Sequence, residues 1–396
     1  MRMTAVRRAF NANPASFKAK DLVREMVPAP PPLPSMKGVK FGTIFTPHML
    51  IVDYDHGAWG KPRIEPFKPF SMPPQSSVLH YGLSCFEGMK AYADINDVEK
   101  VKKGEALGEK HRVRLFRPDK NIARLQDSMH RLCFPSFDAD ELNKLMHAFV
   151  RTEQAYVPKQ FGYSLYLRPT AIGTSEHLGA SPSTVRLFVI ASPVGPYYPP
   201  AEGQEDAGAM GIKPVKLLVE ETHRRAWPGG TGGSKLGANY AGPMLVQEQA
   251  HQRGYDQVLW LGAGQEVQEV GAMNFCCVWR TPEGKTELVT APLDGTILPG
   301  VTRDSILALA RQWGEFEVAE RAYTVEELVA ALEEGRVVEC FGCGTAAIVS
   351  PVCALSYRGK EYAVPCPETS ITTRFLTEML DIQYGKTPSE WSVLVE

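Results

Sequence analysis

Apolar residues recur along the chain with two different spacings, and these spacings predict a mixture of helices and strands. Between Asn121 and Leu132 they return every three or four residues, at Ile122, Leu125 and Met129, as on one face of a helix. Similar patterns with a cap or a glycine stop predict five more helices: one capped by Asp140, Pro243–Arg253, Arg303–Trp313, one that opens with the capping box Thr324–Glu327 and ends at Gly335, and Glu368–Ile382.

Short runs rich in β-branched and aromatic residues predict strands. The runs are Met49–Asp53, Val113–Phe116, Gly162–Pro169, Arg186–Val194, Pro214–Glu221, Gln257–Leu261, Glu266–Trp279, Val337–Cys340 and Ile348–Cys353. Helices and strands mix without a strict alternation and without an internal repeat. The pattern therefore predicts two α+β or mixed α/β domains.

Two stretches of unusual composition divide the chain. Residues 27–34, VPAPPPLP, cannot form a helix or a central strand and predict an extended connector. Residues 196–208 are rich in proline, glycine and acidic residues, and they form the best linker in the chain. We predict four parts: an N-terminal tail and connector over 1–40, a small domain over 41–195, a linker over 196–212 and a large domain over 213–396.

Length and charge narrow the classes of function. A chain of 396 residues suits two domains, and its 43 Lys+Arg against 45 Asp+Glu give a net charge of −2. Neither nucleic acid nor an acidic membrane surface is therefore an expected partner. The chain has no run of about 18 apolar residues that could span a bilayer.

Cysteine usage bears on the compartment. Eight cysteines are scattered through apolar segments, which is typical of reduced thiols in the cytoplasm, and this is the location we predict. The first twenty residues are basic and loosely resemble a transit peptide. A disordered tail is the preferred interpretation of that segment.

The most unusual segment is 227–240, WPGGTGGSKLGANY, in which five glycines surround Lys235. A Walker A phosphate loop requires Gly-Lys-Ser/Thr, whereas Lys235 lies between Ser234 and Leu236, so that interpretation fails. A flexible surface loop is one remaining interpretation. The other is a lysine held in a close-packed turn, whose amine forms a Schiff base with an aldehyde.

Two further segments could bind anions. Residues 342–347, GCGTAA, match a relaxed dinucleotide fingerprint, but a β-branched run and a proline follow where a Rossmann helix should begin. A tight turn that offers the amides of Thr345 and Ala346 to an anion remains. Residues 298–303 precede a helix, whose amino terminus attracts phosphate. Together with Lys235, and with Glu269 as a carboxylate for a ring nitrogen, these segments favour pyridoxal phosphate as the cofactor.

Six motifs carry a resemblance to a known family: HYGLSCFEGMK (80–90), SLYLRP (164–169), GGSKLGANY (232–240), EVGAMN (269–274), LDGTILPGVT (293–302) and FGCGTA (341–346). They resemble the branched-chain amino-acid aminotransferases, in order, over about residues 41–391. The segment EGRVVECFG (334–342) is similar to the longer, eukaryotic-type branch of that family. The resemblance implies the type IV fold of pyridoxal-phosphate enzymes, with two α/β domains, the cofactor between them, and a homodimer.

By position, the resemblance assigns the cofactor site. Lys235 would be the Schiff-base lysine and proton carrier, Tyr240 would donate to the cofactor's phenolic oxygen, and Glu269 would pair with its pyridine nitrogen. The phosphate ligands would be Arg124, the amides of Val301 and Thr302, and Thr345. Periodicity alone would place Arg124 in solvent, opposite the apolar stripe of its helix.

The resemblance also assigns the substrate site. A box of aromatic residues would surround a branched side chain: Phe41, Tyr81 from the other subunit, Phe86, Tyr166 and Tyr197. The amides of Thr345 and Ala346 would hold the α-carboxylate. Since Tyr166 and Arg168 are two residues apart on one strand, they share a face, and Arg168 would hold the distal carboxylate of glutamate or 2-oxoglutarate.

The implied activity is that of a branched-chain-amino-acid transaminase. It would transfer the amino group of leucine, isoleucine or valine to 2-oxoglutarate in a ping-pong cycle through pyridoxamine phosphate. A D-amino-acid aminotransferase or an aminodeoxychorismate-lyase-like enzyme of the same fold type is the alternative, and the aromatic box with Arg168 argues against both. A zinc or redox protein built on Cys340-x-x-Cys343 would need a second ligand pair at metal spacing, and we predict no metal site.

Two positions depart from the family. Ala272 stands where the eukaryotic-type relatives carry threonine, and residues 347–350, AIVS, replace the Cys-x-x-Cys of some relatives. The strand pattern predicts that Cys340 ends a strand and that Cys343 lies in the following turn. We expect both thiols to stay reduced, because a bridge between them would distort that turn.

Overall fold

The computed structural model describes residues 16–55, 57–107, 111–175, 178, 183–197, 213–367 and 370–395. Residues 1–15 of the predicted tail and residues 198–212 of the predicted linker lie outside this range. The described residues form two mixed sheets with helices packed on them, so the predicted α/β class is confirmed.

The first sheet has ten strands: β1 Val23–Arg24, β2 His48–Asp55, β3 Ala58–Trp59, β4 Arg63–Pro66, β5 Ser84–Phe86, β6 Met89–Ala93, β7 Val113–Phe116, β8 Ser164–Gly173, β9 Val185–Val194 and β19 Ser392–Leu394. Their order is β1-β4-β2-β9-β8-β6-β7-β19, and in addition β3 pairs with β2 and β5 pairs with β8. The last strand of the chain thus pairs with β7, in a sheet otherwise built from the first half of the sequence.

Four helices accompany this sheet: α1 Ser77–Tyr81, α2 Ile95–Lys102, α3 Pro118–Arg131 and α4 Ala139–Thr152. Helix α3 begins three residues before the predicted start, at a proline that suits the first helical turn. The predicted cap of α4 is wrong by two residues. Asp138, not Asp140, caps the helix, because its carboxylate accepts hydrogen bonds from the amides of Asp140 and Glu141.

The second sheet has nine strands: β10 Val215–Glu220, β11 Gln257–Leu261, β12 Val267–Val270, β13 Met273–Arg280, β14 Thr286–Thr290, β15 Glu317–Glu320, β16 Val337–Gly344, β17 Ile348–Tyr357 and β18 Lys360–Ala363. Its order is β12-β11-β10-β17-β16-β13-β14-β15, and β12 also pairs with β13. Six of these strands therefore close into a ring, which leaves no free edge between β12 and β13.

Two strand predictions need correction here. The predicted strand Glu266–Trp279 is two strands, because the chain reverses at Gly271, whose φ of 54° suits glycine. Strand β16 runs to Gly344, four residues beyond its predicted end. Cys343 therefore lies in the strand, opposite Asn274, and not in the turn.

Helices α5 Pro243–Gln252, α6 Val301–Trp313, α7 Val325–Glu333 and α8 Ile371–Gln383 accompany the second half of the chain. The capping box of α7 is confirmed, because Thr324 and Glu327 exchange side-chain and backbone hydrogen bonds. No helix among the described residues is both long and apolar enough to cross a bilayer.

Candidate active site

A cavity of about 450 Å³ lies between the two sheets. Thirteen of the residues predicted for the cofactor and the substrate line it: Phe41, Phe86, Arg124, Tyr166, Arg168, Tyr197, Lys235, Tyr240, Glu269, Val301, Thr302, Thr345 and Ala346. Tyr81, the remaining predicted residue, is not part of the lining; it ends α1 and is about half exposed. The structure thus brings together residues that are up to 305 positions apart (Phe41 to Ala346).

Lys235 projects into the cavity from a loop that is fixed to the first sheet. Its amide donates to Ser128 Oγ on α3 at 2.9 Å, and its carbonyl accepts from the amide of Phe86 at 3.0 Å. Its Nζ donates to the hydroxyl of Tyr240 at 3.1 Å. Gly237 in the same loop is required by packing, because a Cβ there would lie 2.2 Å from Ser84 Oγ. The lysine is therefore held in a close-packed turn, and the alternative of a flexible surface loop is wrong.

Glu269 on β12 is buried at the wall of the cavity. Its Oε1 accepts hydrogen bonds from the Leu298 amide at 2.8 Å and from Asn274 Nδ2 at 3.3 Å. Its Oε2 lies 2.8 Å from Nε of Arg225. Burial raises the pKa of Glu269 above its ordinary value, although Arg225 and the Leu298 amide act in the opposite direction.

Arg124 is buried on α3, contrary to what periodicity predicts. Its Nε and Nη2 donate to the two carboxylate oxygens of Glu87 at 2.7 and 2.9 Å, and its Nη1 donates to the carbonyl of Pro299 at 3.0 Å. Burial alone would lower the pKa of Arg124, but the Glu87 carboxylate outweighs burial and holds the pKa above its ordinary value. The guanidinium is thus a fixed positive charge at the cavity wall.

The amino terminus of α6 opens into the same cavity. Its N-cap residue, Gly300, has no side chain with which to cap the helix, so the amides of the first turn are available to an anion. A Cβ at Gly300 would lie 2.0 Å from Asn274 Oδ1, so packing requires glycine there. Val301 and Thr302 supply the first two amides of the helix.

The turn between β16 and β17 forms the opposite wall. It carries Thr345 and Ala346, whose amides are the predicted carboxylate ligands. Lys90 on β6 fixes this turn, because its Nζ donates to the carbonyl of Ala346 at 2.8 Å. Lys90 is buried, and burial lowers its pKa to about 8.

Aromatic side chains and the guanidinium of Arg168 form a further part of the lining. The rings of Phe41 and Tyr166 meet edge to face, with their centroids 4.9 Å apart. Arg168 lies over the ring of Phe86 at 4.8 Å, and its Nη2 donates to the Tyr166 hydroxyl at 3.0 Å. Its Nε is buried and has no hydrogen-bond partner among the described residues. An unpaired donor of this kind can donate a hydrogen bond to an anionic ligand.

Sequence reasoning missed three residues of this site: Glu87, Lys90 and Arg225. Glu87 and Lys90 lie inside the motif HYGLSCFEGMK, so the motif itself was a signal that they matter. Arg225 lies just before the glycine-rich segment and has no local signal, since its partner is on β12.

These features fit a phosphorylated aldehyde cofactor with a ring nitrogen. A lysine on a tight loop, a buried carboxylate, a fixed guanidinium and an uncapped helix terminus surround a single cavity, as in enzymes that bind pyridoxal phosphate. Residues 85–355 match the model of the amino-transferase class IV family. The chain belongs to this family.

Curated relatives are similar over nearly the whole chain. A branched-chain-amino-acid aminotransferase of Dictyostelium discoideum is 46% identical over 363 residues, covering 90% of this chain and 89% of the relative. A mitochondrial one of Bos taurus is 45% identical, covering 96% and 93%. A cytosolic one of Mus musculus is 42% identical, with the same coverage.

Solved structures support the fold. The branched-chain aminotransferase of Thermoproteus uzoniensis superposes with a TM-score of 0.66 at 24% identity, covering 88% of this chain and 100% of that one. The Escherichia coli branched-chain amino acid aminotransferase gives 0.64 at 24% identity, covering 88% and 99%. The predicted type IV fold is confirmed.

Proposed function

We propose that this chain is a branched-chain amino-acid:2-oxoglutarate aminotransferase that uses pyridoxal phosphate. One observation carries the proposal: Lys235 and Glu269 share a cavity with a wall of aromatic residues. That wall contains the guanidinium of Arg168. Relatives named for this activity are 42–47% identical over at least 90% of the chain, which supports it.

The residues of the cavity can hold each part of the cofactor. Arg124, the amides of Val301 and Thr302, and Thr345 would bind the phosphate, Tyr240 would donate to the phenolic oxygen, and Glu269 would hold the ring nitrogen protonated. When bound, the cofactor supplies an electron sink for the carbanion formed at the substrate Cα.

In the reaction, the chain's own residues would transfer a proton and orient the amine that carries it. Once displaced from the cofactor, the amine of Lys235 would take the proton from the substrate Cα and deliver it to the cofactor's C4′ carbon. Tyr240 already accepts a hydrogen bond from Nζ at 3.1 Å and would steer the amine. The sum of the two half-reactions is an amino acid plus 2-oxoglutarate giving a branched 2-oxo acid plus glutamate.

The substrate site has to accept both an aliphatic and an acidic substrate side chain. Phe41, Phe86, Tyr166 and Tyr197 would enclose a branched aliphatic chain, and the Thr345 and Ala346 amides would hold the α-carboxylate. The buried Nε of Arg168 is the donor that a distal carboxylate would use. An aliphatic substrate would leave it stacked on Phe86.

The test is an assay of purified protein with L-leucine and 2-oxoglutarate, with formation of glutamate and of the branched 2-oxo acid measured together. Equimolar formation of the two products supports the proposal, and turnover of D-alanine in place of L-leucine contradicts it. Lys235→Ala is the control, because it removes both the cofactor linkage and the proton carrier.

We propose a homodimer in which Tyr81 completes the neighbouring cavity. Large apolar side chains are exposed on α1, in the loop that leads to Lys235 and at the start of α5: Leu79, Tyr81, Trp227, Met244 and Leu245, each about half exposed or more. Such exposure is typical of an interface. Light scattering should give a mass of twice 43.7 kDa.

A mixing experiment tests the shared cavity. Tyr81→Ala and Lys235→Ala should each be weakly active or inactive alone. A mixed dimer of the two has one cavity with both residues intact, so co-expression should restore activity. Mixed dimers that stay as inactive as their parents would show that Tyr81 does not serve the partner.

The domain boundaries and the location are also proposals. The small domain would span 41–195 and the large domain 213–396, joined by 196–212. All eight cysteines are free thiols, which supports a cytoplasmic location. The relatives include both cytosolic and mitochondrial proteins, so imaging of the chain with a C-terminal fluorescent tag is the deciding measurement.

A further inference from the structure

Arg225 is a buried cation that the proposed mechanism does not use. It follows β10 and lies ten residues before Lys235, at the start of the same loop. Its Nε lies 2.8 Å from Oε2 of Glu269, and its Nη1 donates to the carbonyl of Thr296 at 3.1 Å. The side chains of Arg225 and Glu269 are 9% and 2% exposed, so water screens the pair little.

We propose that Arg225 is a positioning residue that keeps Glu269 ionised and fixes the direction of its carboxylate toward the cofactor's ring nitrogen. The proposal rests on the proposed function, because it takes Glu269 as the partner of that nitrogen. Arg225 itself does not line the cavity and acts only through Glu269.

The buried carboxylate of Glu269 needs a cation beside it to stay ionised. A carboxylate without a partner in a buried site takes up a proton, and a protonated Glu269 could no longer hold the ring nitrogen in its protonated form. Among the described residues, Arg225 is the cation that forms an ion pair with Glu269. Arg124 is already engaged by Glu87, and the Nζ of Lys235 donates to Tyr240.

Both oxygens of the Glu269 carboxylate have partners. Leu298 and Asn274 hold Oε1, and Arg225 holds Oε2, so the carboxylate is bound on both sides and cannot rotate. The bond from Arg225 to Thr296 ties this carboxylate to the segment that leads into α6. The loop that carries Lys235 therefore also carries Arg225, the cation that pairs with Glu269.

The first test uses the protein without cofactor. In Arg225→Met the Glu269 carboxylate is buried without its ion-pair partner. In the double variant Arg225→Met/Glu269→Gln a neutral amide replaces that carboxylate. An acid whose folded pKa lies above its unfolded value reduces stability as pH rises through that range. The single variant should therefore melt at a lower temperature than the double variant at pH 8, and the gap should shrink toward pH 5.

The second test uses the holoenzyme and pyridoxal phosphate labelled with ¹⁵N in the ring. The ring nitrogen should be protonated in the wild type and in Arg225→Lys, and deprotonated at pH 7.5 in Arg225→Met. The kcat with leucine should fall at least about tenfold in Arg225→Met, since one unit of pKa is a tenfold change in ionisation. Arg224→Met removes a neighbouring charge that touches no carboxylate in the cavity and should leave each of these readouts unchanged.

Equal melting temperatures of the single and double variants across the pH range, or a protonated ring nitrogen in Arg225→Met, would overturn the proposal. If the single variant does not fold at pH 8 while the double variant does, the destabilisation is the one expected and supports it. If the wild type does not turn over leucine while the single and double variants still differ in melting temperature as expected, the proposed function is refuted and the role of Arg225 stands.

Discussion

Glu87 receives two hydrogen bonds from Arg124, at 2.7 and 2.9 Å, and both side chains are buried. Asn121, on the preceding turn of the same helix, also donates to Glu87 at 2.9 Å. The carboxylate thus fixes the guanidinium in one orientation while the third nitrogen, Nη1, reaches Pro299 beside the amino terminus of α6. The proposed phosphate site is therefore assembled by a residue that would not itself contact the phosphate.

Replacing Glu87 with Gln should weaken cofactor binding. Removing one partner of a buried ion pair costs about 3–5 kcal/mol, since the other charge is left uncompensated. We expect a lower melting temperature and a higher Kd for pyridoxal phosphate, measured by titrating the cofactor-free protein. Asp140→Asn, which removes an exposed carboxylate in the first turn of α4, is the control. A Kd equal to wild type in Glu87→Gln would show that Arg124 does not need Glu87 to hold it.

Replacing Arg168 with Ala should impair the glutamate half-reaction much more than the leucine half-reaction. Only the diacid needs a cation at its far end, and loss of one partner from a desolvated charge pair costs ~2–5 kcal/mol. Single-turnover rates with each amino acid measure the difference. Arg186→Ala is a matched control, because Arg186 also lies over a ring, Phe70, at 4.9 Å but outside the cavity. Equal losses in both half-reactions would assign Arg168 to stability.

Stability should rise with pH between about 8 and 10.5 because of Lys90. Its folded pKa is lowered to about 8 by burial from an ordinary 10.5, so above pH 8 the unfolded chain binds more protons than the folded one. The full shift corresponds to about 3 kcal/mol, at about 1.4 kcal/mol per unit. Urea unfolding at pH 7.5, 9 and 10 should show this gain in the wild type and a smaller gain in Lys90→Met. Parallel curves for the two proteins would contradict it.

Mild peroxide should leave activity largely intact. Cys340 lies directly opposite Cys277 and Cys343 opposite Asn274, so Cys340 and Cys343 point to opposite faces of β16 and cannot bridge. Burial raises the pKa of Cys277, so its reactive thiolate form is scarce. The exposed Cys133 should react first, and Cys133→Ser should remove that reaction without changing turnover. Peptide mapping that finds a Cys340–Cys343 disulfide in inactivated protein would refute this prediction.

Local patterns predicted the elements of this fold well where the decisive interactions are close in sequence. The capping box at Thr324 and the apolar stripe of α3 are of this kind. The cap of α4 was misplaced because Asp138 and Asp140 are chemically equivalent, and only the backbone angles of Asp138 distinguish them. The closed ring of the second sheet was not predicted, since strand patterns carry no information about which edges meet.

The candidate site depended on long-range pairing. Periodicity places Arg124 opposite an apolar stripe. Its burial is explained by Glu87, which directly follows β5 and faces the helix. Likewise nothing near Arg225 in the sequence indicates that β12 will bring a carboxylate to it. The resemblance supplied Arg124 but not the two partners that hold the charges in place.

The pairing of β19 with β7 bears on how the protein is made on the ribosome. Arg114 donates to the carbonyl of Ser392, a contact between residues 278 positions apart. During synthesis the edge of β7 must therefore stay unpaired until residues 392–394 have left the exit tunnel. An unpaired edge is open to other chains. Deleting residues 392–394, none of which lines the candidate site, should consequently produce a nascent protein that depends on chaperones.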